Sequence, residues 1–122
     1  MVKSVLVICE DSPFGKNSAI EAIRLTAGLI AMEDLSECKV IFMGGAVYLL
    51  NKNLKPEALN MDSFSEIMRL MELSHLEIYV SKEALETVGL NPSDLISYKN
   101  LKIVDYKEIS QLILNAEMSF KY

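Results

Sequence analysis

Ser4-Val5-Leu6-Val7-Ile8-Cys9 is an apolar run, rich in β-branched residues, with no alternation of apolar and polar positions. A run of this kind fits a strand covered on both faces, as in a parallel sheet between helices, and not a half-wet antiparallel strand. The turn Glu10-Asp11-Ser12-Pro13-Phe14-Gly15-Lys16 follows and leads into a helix. Ser18 and Glu21 have capping-box spacing, so the helix starts at Asn17 or Ser18. Ile20, Ile23, Ala27 and Ile30 mark one face of it, and it should run to about Met32. Its polar stripe is mainly Glu21 and Arg24, so it needs cover on more than one side.

The alternation repeats down the chain. Lys39-Val40-Ile41-Phe42-Met43 reads as a second buried strand, ended by Gly44-Gly45. Residues 51–62 (NKNLKPEALNMD) read as a long loop of the kind that often carries function. Ser63 and Glu66 form another capping box, opening a helix with Phe64, Ile67, Met68 and Met71 on its apolar face. Leu76-Glu77-Ile78-Tyr79-Val80 is a third strand, after which Ser81 caps a short helix that Gly89 ends. Asn91-Pro92 turns the chain, and Leu101 to Val104 is a fourth strand. Asp105 with Glu108 opens a last helix through Ile109, Leu112 and Ile113, and Met118 to Tyr122 reads as a final strand. Strands alternating with helices imply one doubly wound α/β domain over residues 1–122.

Composition narrows the partners. A chain of 122 residues is long enough for a core without disulfides or metal. Its apolar share is 51% before glycine is counted, against roughly 45–50% with glycine in soluble domains, and its mean hydropathy is +0.23. The excess must fill a tight core or cover a partner surface. A net charge of −5 and a pI near 4.9 suit phosphate backbones poorly, so direct nucleic-acid binding is disfavoured. The run Val5 to Cys9 is too short for a signal segment, and no window approaches the roughly 20 apolar residues that span a bilayer. Two cysteines make no disulfide framework, which points to a reducing cytoplasm.

In an open parallel sheet, ligands bind beyond the C-terminal ends of the strands. That edge should carry Cys9 to Asn17, Gly44 to Tyr48, and Ser81-Lys82. The candidates there are Glu10, Asp11, Gly15, Lys16, Asn17, Gly44, Gly45, Tyr48, Ser81 and Lys82. Gly15-Lys16 invites a phosphate loop, but the upstream glycine is missing, Asn17 stands where Ser or Thr belongs, and Glu10 and Asp11 would repel phosphate. A capped turn explains the pair better. His75 falls before the third strand, at the opposite edge, and reads as an ordinary surface residue. One histidine and two separated cysteines do not build a metal site or a His-dependent nucleophile, so no metal or cofactor is expected. Cys9 ends one strand and Cys38 begins the next, too far apart to pair. Cys9 is the one candidate reactive thiol, although Glu10 and Asp11 oppose a thiolate there and a buried, inert cysteine is the commoner outcome. Met43, Met61, Met68 and Met71 gather around the second helix in the sequence, either as core or as an adaptable protein-binding surface.

Ser12-Pro13-Phe14-Gly15 with its helix, Gly45-Ala46-Val47-Tyr48-Leu49-Leu50, and Val80-Ser81-Lys82-Glu83-Ala84-Leu85 ending in Gly89-Leu90-Asn91-Pro92 together resemble the DsrE/DsrF family, most of all its DsrF/TusC branch. The likeness covers nearly the whole chain through short, apolar motifs. It implies a three-layer α/β/α fold with a five-stranded, mainly parallel sheet. It also implies a homo-oligomer or a mixed complex with related DsrE- and DsrH-like subunits, in which sulfur passes as a protein-bound persulfide. In the carrier subunits of such complexes the cysteine directly follows the third strand, at a helix N-terminus, where partial positive charge favours a thiolate. Here that position is Ser81, whose hydroxyl cannot carry a persulfide. The expectation is therefore an accessory, non-catalytic subunit of an intracellular sulfur relay. Two alternatives stand beside it: a carrier that uses Cys9, and a flavodoxin-like small-ligand binder using the Glu10–Asn17 and Gly44–Tyr48 loops.

Overall fold

A computed structural model of the chain describes residues 4–10, 18–30, 37–52 and 64–121. The turn residues Asp11, Gly15, Lys16 and Asn17, the Ser63 cap, Met61 and most of the 51–62 loop lie outside them. Five strands, β1 (Ser4–Cys9), β2 (Glu37–Phe42), β3 (Glu77–Ser81), β4 (Leu101–Val104) and β5 (Met118–Lys121), form one sheet in the order β4-β3-β2-β1-β5. Every neighbouring pair is parallel. The helices are α1 (Ser18–Ile30), α2 (Phe64–Ser74), α3 (Lys82–Val88) and α4 (Tyr106–Asn115).

That order fixes which side each helix takes. Crossovers from β1 through β4 all step the same way, so right-handedness places α1, α2 and α3 on one face. The step from β4 back to β5 is reversed and sends α4 to the other. The core divides accordingly. Val5, Val7, Cys9, Val40, Phe42, Ile78 and Val80 pack against Ala22, Ile23, Met71, Ala84 and Leu85 on the three-helix side. Leu6, Ile41, Tyr79 and Val104 pack against Ile109, with Ile8, Met43 and Leu112 at the margin, on the α4 side. The methionines expected to gather therefore separate: Met68 and Met71 belong to one layer and Met43 to the other.

Gly44–Leu50 departs from the expected loop. It winds into a 3₁₀ helix with Ala46, Val47, Leu49 and Leu50 fully buried. Gly44 opens it at φ 50, where a Cβ would meet the Glu10 carbonyl oxygen at 3.2 Å. The Met43 N–H donates to the Cys9 carbonyl at 2.9 Å and the Ala46 N–H to that of Glu10 at 3.2 Å, so the ends of β1 and β2 are stitched together.

Two helices stop in the same way with different residues. In α3, the Gly89 N–H donates to Glu86 O and the Leu90 N–H to Leu85 O, with Gly89 at φ 76. In α2, the His75 N–H donates to Glu72 O and the Leu76 N–H to Met71 O, with His75 at φ 53. Both are Schellman endings, which favour glycine because a Cβ is strained in the left-handed region. Replacing His75 by glycine should therefore stabilise the fold by about 0.5–1 kcal/mol, whereas Gly89→Ala should cost about 1–2 kcal/mol. Urea-unfolding midpoints of the two variants should move in opposite directions.

Candidate functional site

At the C-terminal edge of the sheet the decisive residue is Ser81. It ends β3, pairs in register with Val104, and has no exposed surface. Its backbone is still extended, at φ −67 and ψ 120, and its Oγ accepts from the Ala84 N–H at 3.1 Å. A buried helix start needs an acceptor for its free N–H groups, and the serine hydroxyl supplies one. Its neighbour Lys82 is exposed.

Two helices begin side by side here, because β3 and β4 are adjacent and each ends into a helix. Asp105 Oδ1 accepts from the Glu108 N–H at 2.9 Å and caps α4. Glu83, in the first turn of α3, reaches across: its Oε2 accepts from the Tyr106 N–H at 3.3 Å, at the start of α4. Its Oε1 is buried without a partner among the described residues. The positive ends of both helices are thus already faced by carboxylates of the chain itself. In the sequence, Glu83 is a routine dipole-matching acid at the second position of a helix. Its crossing to α4 depends on the strand order.

The remaining candidates scatter. Glu10 is exposed after β1 and pairs with Lys121 of β5 at 3.0 Å. Gly44 is exposed, while Gly45 and Tyr48 are half-buried in the 3₁₀ segment. The Gly44–Tyr48 half of the flavodoxin-like reading is thus wound into the core and is no open loop. Among the described residues, no group of three or more His, Cys, Asp or Glu side chains is placed to hold a metal ion.

Both cysteines are buried. Cys9 has no exposed surface and packs with Val7, Phe42 and Val47 on the three-helix side, which removes it from the accessible edge where a reactive thiol was sought. Cys38 pairs in register with Val5, four residues from Cys9 along β1, or about 13 Å of strand. Burial pushes the Cys38 thiol up to about 11. The opposite edge holds a cavity of about 410 Å³ lined by Glu72, His75, Ser97, Tyr98, Lys99 and Asn100. The Tyr98 hydroxyl closes its floor, shared between the carbonyls of Leu76 at 2.6 Å and Met71 at 2.9 Å. Nothing in residues 97–100 as a sequence pointed to this hollow, because it forms only where the loop before β4 meets the end of α2.

The architecture is that of a small doubly wound domain whose third-strand helix cap is closed and lacks a thiol. The chain belongs to the DsrE/DsrF-like family, whose model matches residues 3–121. It is 24% identical to the intracellular sulfur oxidation protein DsrF of Allochromatium vinosum, over 100% of this chain and 98% of that one. In fold it is similar to the ychN protein of E. coli, with a TM-score of 0.78 and 18% identity over 98% and 99% of the two chains. It is also similar to MTH1491 of Methanobacterium thermoautotrophicum, with a TM-score of 0.69 and 15% identity over the full length of both.

Ser81→Ala should cost about 1 kcal/mol by stripping the Ala84 N–H of its acceptor. Ser81→Cys should stay protected from a thiol reagent until the chain unfolds, because the position is closed. A second expectation concerns alkali. The fold favours the protonated Cys38 thiol, so this contribution is complete below about pH 9 and is lost as pH rises toward about 11. Cys38→Ala should flatten the fall in stability measured by urea titration across that window.

Proposed function

We propose that this chain is an accessory, non-catalytic subunit of an oligomeric intracellular sulfur-relay assembly, of the DsrF/TusC-like kind. The observation that carries this reading is Ser81. At the position where the family's carrier subunits present a cysteine, this chain has a buried hydroxyl engaged in capping α3. Thiolate chemistry there would need an open thiol beside unneutralised helix N-termini, and Glu83 and Asp105 already face both helix starts. The likeness to the sulfur oxidation protein DsrF supports a place in sulfur transfer. Its partners are copies of itself or related DsrE- and DsrH-like subunits, not a membrane. No helix among the described residues is long and apolar enough to cross one.

The exposed apolar side chains fit that role. Leu73 is 71% exposed and Leu114 77%, on two different helices, and Tyr106, Ile113, Met118 and Phe120 add to them. Co-expressed with its neighbours, the chain should run on native mass spectrometry as a multi-subunit complex; a monomer under those conditions overturns the proposal. Incubated with a persulfide donor, it should gain no sulfane sulfur. A turning-over adduct on Cys9 would replace this reading with the carrier reading.

A further inference from the structure

The two edges of the sheet are finished differently. On β4, Ile103 and Leu101 are half-buried, Val104 is buried, and only Lys102 is exposed. On β5 all four residues are exposed, including the apolar Met118 at 40% and Phe120 at 43%. The register Val5↔Met118 and Val7↔Phe120 puts these two on the three-helix face, in the same rows as Val5 and Val7, which are 6% and 0% exposed. Two buried rows therefore run out to the edge and stop in open apolar side chains. Among the described strands β5 bonds only to β1, so no described strand lies beside its outer backbone groups.

From this pattern we infer that β5 is a self-pairing edge: two copies of the chain join antiparallel through residues 117–121, about a two-fold axis at Ser119. The occupant is argued from complementarity. With Ser119 on the axis, Met118 of each copy lies opposite Phe120 of the other, and Glu117 lies opposite Lys121. Directly opposed side chains share a face, so the apolar pairs form on the three-helix side and the ion pairs on the α4 side. Sliding the strands by two residues either way breaks both matches, setting Met118 against itself with Glu117 against Ser119, or Phe120 against itself with Ser119 against Lys121. Sliding by one would set the α4 layer of one copy beside the three-helix layer of the other. Only one register satisfies apolar and charged positions together.

The local bonds allow it. The Glu117 N–H is held by Ser4 Oγ at 2.9 Å, which fixes the start of β5 against β1 and turns that donor away from the outer edge. Lys121 pairs with Glu10 at 3.0 Å, yet its side chain is 69% exposed, and an ammonium has three donors to divide between two carboxylates. The product is a continuous sheet of two five-stranded halves with α1 to α3 of both copies on one face. This deepens the assembly part of the proposed function by naming a surface and its partner, and it rests on that part alone.

The test uses the full chain. Ser119→Cys puts two thiols on the axis, with Cα atoms about 4.5–5.5 Å apart across an antiparallel pair, inside the range a disulfide spans. Mild oxidation should convert this variant to a covalent dimer on a non-reducing gel, while the wild type, with Cys9 and Cys38 buried, should not cross-link. In sedimentation, Lys121→Glu and Glu117→Lys should each weaken dimerisation about tenfold or more, and the double swap should restore it. Because the swap does not rebuild the Lys121–Glu10 pair, restoration reports the interface. The inference is overturned if the Ser119→Cys variant stays unlinked or links only to a different subunit, or if the double swap remains dissociated. Failure of that variant to cross-link within an intact complex would sink the β5 pairing and leave the accessory-subunit reading standing, whereas a wild-type monomer under all conditions removes both.

Discussion

A helix start needs acceptors for its first N–H groups, and at the buried end of β3, where Ser81 has no exposed surface, the chain itself must supply one. Ser81 meets this demand for α3 and Asp105 for α4, each through a side-chain oxygen accepting from the third helical N–H. Glu83 then ties the two helix starts together by accepting from the Tyr106 N–H. The same atoms decide the chemistry. An oxygen engaged as a cap, in a residue with no exposed surface, is neither a nucleophile nor a place to park sulfur, and the electrostatic benefit of two helix ends is already taken by resident carboxylates. Structural necessity and chemical silence at this edge are one fact.

The distribution of apolar surface follows from the strand order. Three helices cover one face of the sheet and a single ten-residue helix covers the other. α4 buries Ile109 fully but leaves Ile113 and Leu114 open, and β5 lies at the rim with both large apolar residues exposed. The apolar excess in the composition thus divides between a dense three-helix layer and uncovered positions on the rim, on α4 and on α2. A core alone does not account for it.

How far the sequence discloses this depends on the range of the forces involved. β1 and β4 are recognisable to the residue, because both are short segments rich in β-branched residues and bounded by polar turns, β1 as a nearly continuous apolar run and β4 interrupted only by the exposed Lys102. The caps Ser81, Gly89 and Asp105 are equally readable, since each depends on an interaction within a few residues. Gly44–Leu50 is not. A glycine pair followed by an apolar run looks like the end of a strand, and only the pairing of Glu10 with the segment, together with the space beneath α3, turns it into a buried 3₁₀ helix. Met43 separates from Met68 and Met71 because strand alternation sends it to the opposite face, a distinction of one residue in register. Glu83 and the hollow beside His75 depend on which loops become neighbours, and no local pattern encodes that.

His75 sharpens the contrast between necessity and choice. α2 and α3 end in the same hydrogen-bonded motif, and α3 uses glycine, the residue for which the left-handed turn is inexpensive. α2 uses a histidine in that conformation, at a strain of about 1–2 kcal/mol, on a helix whose C-terminal carbonyls are already engaged by Ser74 and Tyr98. Capping alone therefore does not require the imidazole. Where the chain closes its thiols and seals its third-strand cap, it leaves strained and apolar side chains at the surface. Among the described residues the surface is therefore marked by shape and by exposed apolar side chains, which fits the proposed role of a subunit that works through its neighbours.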